Sequence, residues 1–286
     1  MAERIQKVLA NAGYGSRREI EHWIEQGRIR VNQRIAAPGD RIGPGDRVFL
    51  DGKPLTRLRT GPKRRVIAYH KPVGEICSRK DPRGRPTIFD RLPPVVNGRW
   101  IGVGRLDINT VGLMLLTTDG ELANRLMHPS ARVEREYAVR VLGEAGPEIL
   151  RRLQRGVELD DGMARFDHVV DAGGSGRNHW YHVILREGRK REVRRLWEAV
   201  GLTVSRLIRV RYGPVSLERS LRPGKWRELT PDQTEALYAL AGLQREPGTS
   251  AGPGRRQGRR KQVARKTSAR RKAARSGAGP PRRTRR

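Results

Sequence analysis

From Pro247 to Arg286 the chain carries 15 Lys and Arg, no Asp or Glu, and only small apolar residues apart from Val263. A segment of this composition cannot bury enough surface to offset its chain entropy. Any packed core must therefore be built from the preceding residues, and a disordered basic tail is expected over 244–286. The tail does not hold all the charge, since +16 of the formal +31 remains on residues 1–246. A chain this basic demands a polyanionic partner, and nucleic acid is the default. No apolar run reaches the roughly 18 residues that span a bilayer, and the N-terminus lacks a signal-peptide apolar region, so a soluble cytoplasmic protein is expected. The single cysteine, Cys77, excludes an intrachain disulfide and a Cys-based metal site, which leaves the hydrophobic core to hold the fold.

The first sixty residues read as a separate module. Ile5, Val8, Leu9 and Ala12 mark one face of a short helix, which Gly13 and Gly15 break. Ser16 and Glu19 then spell a capping box that opens a helix with Ile20, Trp23 and Ile24 on its buried stripe, and Gly27 stops it. Ile29, Val31 and Ile35 alternate with Arg28, Arg30 and Arg34, and a further strand covers Arg47 to Leu50. The basic residues fall off the buried stripe, so Lys7, Arg17, Arg18, Arg28 and Arg30 are placed to share one exposed surface.

The order RIQKVLANAGYGSRREIEHWIEQGRIRVN resembles the S4 RNA-binding domain over about residues 3–50. That resemblance implies that the second helix and the following strand present cations to structured RNA, with Lys7, Arg17, Arg18, Arg28 and Arg30 as phosphate contacts. The expected organisation is an S4 module over 1–60, a basic Gly-Pro linker over 61–65 and a larger domain over 66–243.

In the larger domain, strands are expected at Val66–Tyr69, Val111–Leu116, Tyr137–Val141, Ala164–Val170, Trp180–Leu185 and Val204–Val210. Gly173–Gly176 reads as a hairpin loop. Thr118 and Glu121 suggest a capping box ahead of a helix that buries Leu122 and Leu126. Further helices fall at Ile149–Leu153, Arg191–Val200 and Pro231–Leu240. Strands dominate and helices interrupt them irregularly, which indicates an α+β fold with a mostly antiparallel mixed sheet.

Several common chemistries fail on spacing. Gly102-Val103-Gly104 begins a dinucleotide pattern, but Asp107 occupies the third glycine position and no strand-helix-strand unit surrounds it. No P-loop or serine elbow is present, and Cys77 lacks an evident His partner. His179 and His182 lie three apart on an expected strand and so point to opposite faces, which argues against a shared metal. Chemistry without cofactor or metal remains. Asp107 sits in a polar loop between two apolar strands, where a rigid scaffold displays a reactive side chain.

The stretch GRLDINTVGLMLLTTDGELANRLMHP resembles the catalytic motif of pseudouridine synthases, specifically the RsuA group, which joins an S4 domain to the catalytic domain. EREYAVRV around Tyr137 and ILREGRKREVRRLWEAVG around Arg194 extend the resemblance in order, to about residue 240. KPVGEICSRKDPRGRPTIFDRLP is similar to the branch acting on large-subunit ribosomal RNA, whose members often carry a basic C-terminal extension. The sequence departs from the family where Arg135 replaces a common Lys two residues before the tyrosine, a change expected to lie away from the substrate.

The resemblance implies isomerisation of a uridine in 23S ribosomal RNA by a monomeric enzyme without cofactor, acting on the free RNA or on a large-subunit assembly intermediate. Asp107 would act as nucleophile or as base, Tyr137 would stack on the uracil, and Arg194 would form an ion pair with Asp107 and keep it charged. Arg105 would fill the space left by an extruded base. Lys71, Arg85 and His128 are expected to line the RNA groove. The same reaction at another ribosomal site, small-subunit RNA included, and a non-catalytic RNA chaperone or assembly factor are the alternatives. If the tail clings to phosphate, removing residues 247–286 weakens RNA binding and lowers its salt slope by roughly 0.7–0.9 for each phosphate the tail neutralises. An unchanged slope in a filter-binding titration counts against that role.

Overall fold

The computed structural model describes residues 2–59, 64–79 and 81–244. The expected tail from 245 onward and the expected linker residues 61–63 lie outside the described residues. Two helices and a small sheet form the N-terminal module. Helix Ile5–Asn11 leads through the glycine turn to helix Arg17–Glu25, whose N-cap Ser16 and N3 residue Glu19 make both hydrogen bonds of the capping box. Strands Arg34–Ile35, Ile29–Val31, Val48–Leu50 and Lys53–Pro54 pair in that order. Ile5, Leu9, Ile20, Ile24, Ile29 and Val48 form its own hydrophobic core. Ile35, expected on the buried side of the alternation, is instead 61% exposed, because its two-residue strand is an edge of the sheet. Trp23 is half-buried, with the Arg28 guanidinium 5.7 Å from its ring centre.

The larger domain is built on a sheet with nine strands among the described residues. Its main path runs His168–Ser175, Asn178–Leu185, Arg135–Leu142, Thr203–Tyr212, Val111–Thr117, Val66–Lys71 and Trp226–Glu228. Alternate residues feed two cores, one on each face, as the period of a strand requires. Ile67, Tyr69, Met114, Leu116 and Val139 join Leu196 and Trp197 of helix Glu192–Glu198 on one face. Val66, Ala68, Leu113 and Leu115 join Leu122, Leu126 and Leu237 on the other. Strand Val111–Thr117 is buried throughout, which explains its unbroken apolar sequence.

Within this sheet one pairing is parallel, Ile208 and Arg209 against Val111 and Gly112, and the other pairings are antiparallel. The mixed, mostly antiparallel α+β expectation therefore holds. Gly112 makes the parallel pairing possible. It has φ of +114°, and a Cβ there would lie 2.3 Å from the Arg209 carbonyl oxygen. Only glycine lets the two backbones approach so closely at that angle.

Three local expectations are corrected. The cap of helix Gly120–Met127 is Asp119, not Thr118; its carboxylate accepts from Glu121 N and Leu122 N at 2.9 and 3.3 Å. Thr118 lies one residue too early, and its backbone N–H instead donates to Arg65 O. Gly173–Gly176 is mostly strand, because a register shift between Asp171 and Gly174 carries the pairing as far as Ser175. The final linker residue, Arg65, already belongs to the larger domain: it pairs with Glu228 and covers the Trp100 ring. The tight approach at Gly112 sets a stability test. Gly112→Ala should lower the unfolding free energy by about 2 kcal/mol or more, from backbone strain plus overpacking. An unchanged urea midpoint would contradict this packing.

Candidate active-site cleft

The loop after Gly104 sits between the short strand Ile101–Gly102 and strand Val111–Thr117. It closes on itself through Thr110 N donating to Asp107 O at 3.0 Å. Three successive carbonyls of this loop are held from behind. Lys71, with no exposed surface, donates through Nζ to Ile108 O at 3.3 Å, Thr110 O at 2.9 Å and Pro72 O at 3.0 Å. Arg194 is 9% exposed and donates to Asn109 O at 3.1 Å and Val204 O at 3.0 Å. Gly74 N adds a further hydrogen bond to Ile108 O. Asp107 itself is exposed, and its carboxylate has no hydrogen bond or ion pair among the described residues.

This arrangement corrects two expectations. Lys71 does not line an RNA groove, because the strand Val66–Lys71 carries it into the interior. Burial pushes its pKa down, against the opposing influence of Cys77, Glu75 and Asp107. Arg194 makes no direct ion pair with Asp107, because its terminal nitrogens are committed to the two carbonyls. It acts on the carboxylate through space, while burial pulls its own pKa down.

In front of the loop lies a cleft of about 1380 Å³, lined by Asp107, Tyr137, Arg105, Arg85 and Arg209 among others. Its size exceeds the roughly 300–1,000 Å³ of small-molecule pockets and suits a polymer. Ten of its lining residues are Lys or Arg against five Asp or Glu. Tyr137 is 8% exposed and joins the core, with its remaining surface on the cleft. Arg105 is exposed on the cleft wall. Arg85 is held by Asp81 in a two-pronged pair at 3.0 and 2.7 Å, which pushes the Asp81 pKa down to about 2. His128 lies outside the lining and hydrogen bonds Ser130 at 2.7 Å, while its neighbours Met127 and Pro129 face the cleft. Cys77 also faces the cleft, exchanging 3.4 Å hydrogen bonds with the Leu106 backbone.

Arg135, expected to lie away from the substrate, lines this cleft. Its guanidinium donates to the carbonyls of Arg186 and Glu187 and lies 5.3 Å from the centre of the Tyr212 ring. Sequence alone does not single out Arg209. The available signal is Arg209 alternating with apolar residues and with Arg211 in LIRVRY, which pattern reads as surface.

In the N-terminal module Arg17, Arg18, Arg28 and Arg30 are exposed and Lys7 is partly exposed. Lys7 pairs with Glu3 at 2.5 Å and Arg28 with Asp51 at 2.6 Å, so an anion must compete for both. His179 and His182 do not converge. His182 bonds Glu136 at 2.9 Å, whereas His179 bonds Asp171 at 2.6 Å. His179, Asp171 and Glu144 bring ligand-type atoms within 4.8 Å of one another, a grouping that surface acids commonly form without an ion.

Lys71→Met separates its two possible placements. With the Pro72 and Thr110 carbonyls losing this donor and Ile108 O keeping only Gly74 N, it should lose about 1–3 kcal/mol of stability, and the salt slope of RNA binding should stay unchanged. A slope lower by about one phosphate contact, with stability intact, would return Lys71 to the RNA surface.

Comparison with known proteins agrees with this geometry. Residues 3–48 match the S4 domain and residues 65–199 match the RNA pseudouridylate synthase family. The chain is 56% identical over 268 residues to ribosomal large subunit pseudouridine synthase B of Escherichia coli strain K12, covering 92% of this chain and 91% of that protein. It is 55% identical over 245 residues to the protein of the same name in Pseudomonas aeruginosa, covering 85% and 64%. A crystal structure of a pseudouridylate synthase shares 27% identity at a TM-score of 0.58, covering 82% of this chain and 99% of that one. A catalytic-type loop, a basic cleft and an S4 module thus occur in one chain together with these relatives, and the chain belongs to the RNA pseudouridylate synthase family, in its S4-bearing RsuA group.

Proposed function

We propose that this chain isomerises a uridine of large-subunit ribosomal RNA to pseudouridine, with Asp107 as the reacting carboxylate. The observation that carries the reading is the unpartnered, exposed Asp107 on a loop whose next three carbonyls are fixed by Lys71 and Arg194. The relatives named for the large ribosomal subunit supply the substrate class.

The reaction breaks the bond from ribose C1′ to N1, turns the uracil and joins C5 to C1′. The proton leaves C5 and N1 gains one, so the product is an isomer and no oxidant or energy source is consumed. Asp107 acts as nucleophile on the sugar or base, or as base at C2′. Because C1′ and N1 are covered in a stacked helix, the nucleotide must leave its stack. Tyr137 offers the uracil a ring face, a contact worth about 1–3 kcal/mol. Arg105, on the cleft wall, fills the vacated space.

The S4 cations and the arginines of the cleft hold phosphates and supply affinity without sequence information. No helix among the described residues is long and apolar enough to cross a membrane. A cytoplasmic monomer acting on ribosomal RNA or on a large-subunit assembly intermediate fits this reading.

Asp107→Asn should bind transcribed large-subunit RNA with unaltered affinity and form no pseudouridine. Product from that variant would sink the assignment, and absence of product from the unaltered chain on ribosomal RNA and on assembly intermediates would favour a pure binder. Arg194→Met should lower the single-turnover rate more than it weakens RNA binding, because the Asn109 carbonyl loses its tether. Equal losses in both would place Arg194 among the phosphate contacts.

A further inference from the structure

Arg209 is a buried cation that the loop arrangement does not use. It is 2% exposed, yet it lines the cleft beside Asp107 and Tyr137. Its Nε donates to Leu113 O at 2.7 Å and one terminal nitrogen reaches the Met114 sulfur at 3.3 Å. No carboxylate pairs with it among the described residues. Of the five N–H donors of a guanidinium, three are left without a protein acceptor among the described residues, and one of the two engaged meets only a weak sulfur acceptor. Leaving a buried charge without a counter-ion is costly, so a purely structural tie to Leu113 is poorly served by arginine.

The register explains where this cation faces. Arg209 stands directly opposite Tyr137 in the antiparallel pairing, and opposite residues on neighbouring strands share a sheet face. The register shift at Glu136/Tyr137 leaves Val210 unpaired with that strand and brings Tyr212 opposite Arg135. Arg209 and Arg135 consequently both lie 5.3 Å from the centre of the Tyr212 ring. On its other side Arg209 pairs with Gly112, at the end of the loop that carries Asp107.

We infer that Arg209 is a catalytic residue that binds the carbonyl edge of the target uracil and stabilises the negative charge that develops on it. The inference rests on the function proposed above. When the C1′–N1 bond breaks, its electron pair stays on N1 and delocalises to the O2 and O4 carbonyl oxygens. That pair returns when C5 bonds to C1′, so Arg209 keeps all its protons throughout. A fixed donor in a site shielded from water acts on such developing charge without reorganising, and loss of one donor of this kind slows reactions by about 10²–10³. Where Asp107 acts at the sugar, its loop and Arg209 would address the two ends of the same breaking bond.

The test compares two substrates in the full-length protein. Single-turnover conversion is measured with saturating enzyme in excess over RNA carrying either uridine or 5-fluorouridine at the target, read as loss of the starting nucleoside after digestion. Fluorine withdraws electrons from the ring, so the departing base needs less help from a cation. Arg209→Gln, which retains a donor for Leu113 O, should bind RNA as the unaltered chain does and convert uridine about 100-fold more slowly. Its deficit on 5-fluorouridine should shrink to about tenfold or less. An equal deficit on both substrates, or no deficit on uridine, would overturn the inference. If Arg209→Gln fails to fold, judged by its urea midpoint, the same comparison on Arg209→Lys decides. No product from the unaltered chain on uridine would overturn the proposed function itself, whereas normal wild-type turnover with equal variant deficits overturns only the role of Arg209.

Discussion

Two buried cations hold the backbone of one short loop, and the rest of the site depends on them. Lys71 and Arg194 together engage the carbonyls of Ile108, Asn109 and Thr110, so the positive charge near Asp107 is spent on its own main chain and not on its carboxylate. Each cation reaches the carboxylate only through space. A direct ion pair would satisfy Asp107 and blunt it as a nucleophile or base. The carbonyl clamp fixes the position of the residue and leaves its oxygens available, which is the kind of preorganisation that reactive groups need.

The fold supplies these cations from unrelated parts of the chain. Lys71 ends a central strand and Arg194 comes from helix Glu192–Glu198. Arg209 arrives on the strand that makes the parallel pairing with Val111 and Gly112. The sheet places the clamp behind the loop and the cleft in front of it. Tyr137 is held by core packing on the same face, so a base meeting it would meet a fixed surface and not a mobile side chain. The S4 module keeps its own core and its exposed arginines, consistent with a division between binding and chemistry.

Sequence makes much of this legible where a local rule dominates. The capping box at Ser16 and Glu19, the buried run Val111–Leu116 and helix Pro231–Leu240 follow from period and capping, and the structure has them. Asp107 is visible from the motif around it. What pattern misses depends on contacts between distant segments. Thr118 fits the capping-box spacing with Glu121, but its hydroxyl and backbone N–H are taken by the Arg65 backbone, and Asp119 caps the helix instead. Lys71 looks like a surface lysine because nothing local shows that three carbonyls converge on it. Arg194 carries the right charge, but whether its guanidinium meets the Asp107 carboxylate or the Asn109 carbonyl turns on the path of the loop between those two residues. Arg209 needs the strand register, the bulge at Val210 and the glycine at 112 before its burial makes sense.

The central claim is that this chain produces pseudouridine in ribosomal RNA. Its most direct test maps pseudouridine across both ribosomal RNAs from cells with and without the gene, and after its return. The account predicts that one position in the large-subunit RNA loses its pseudouridine when the gene is absent and regains it on return. A map unchanged in both subunits would contradict the account.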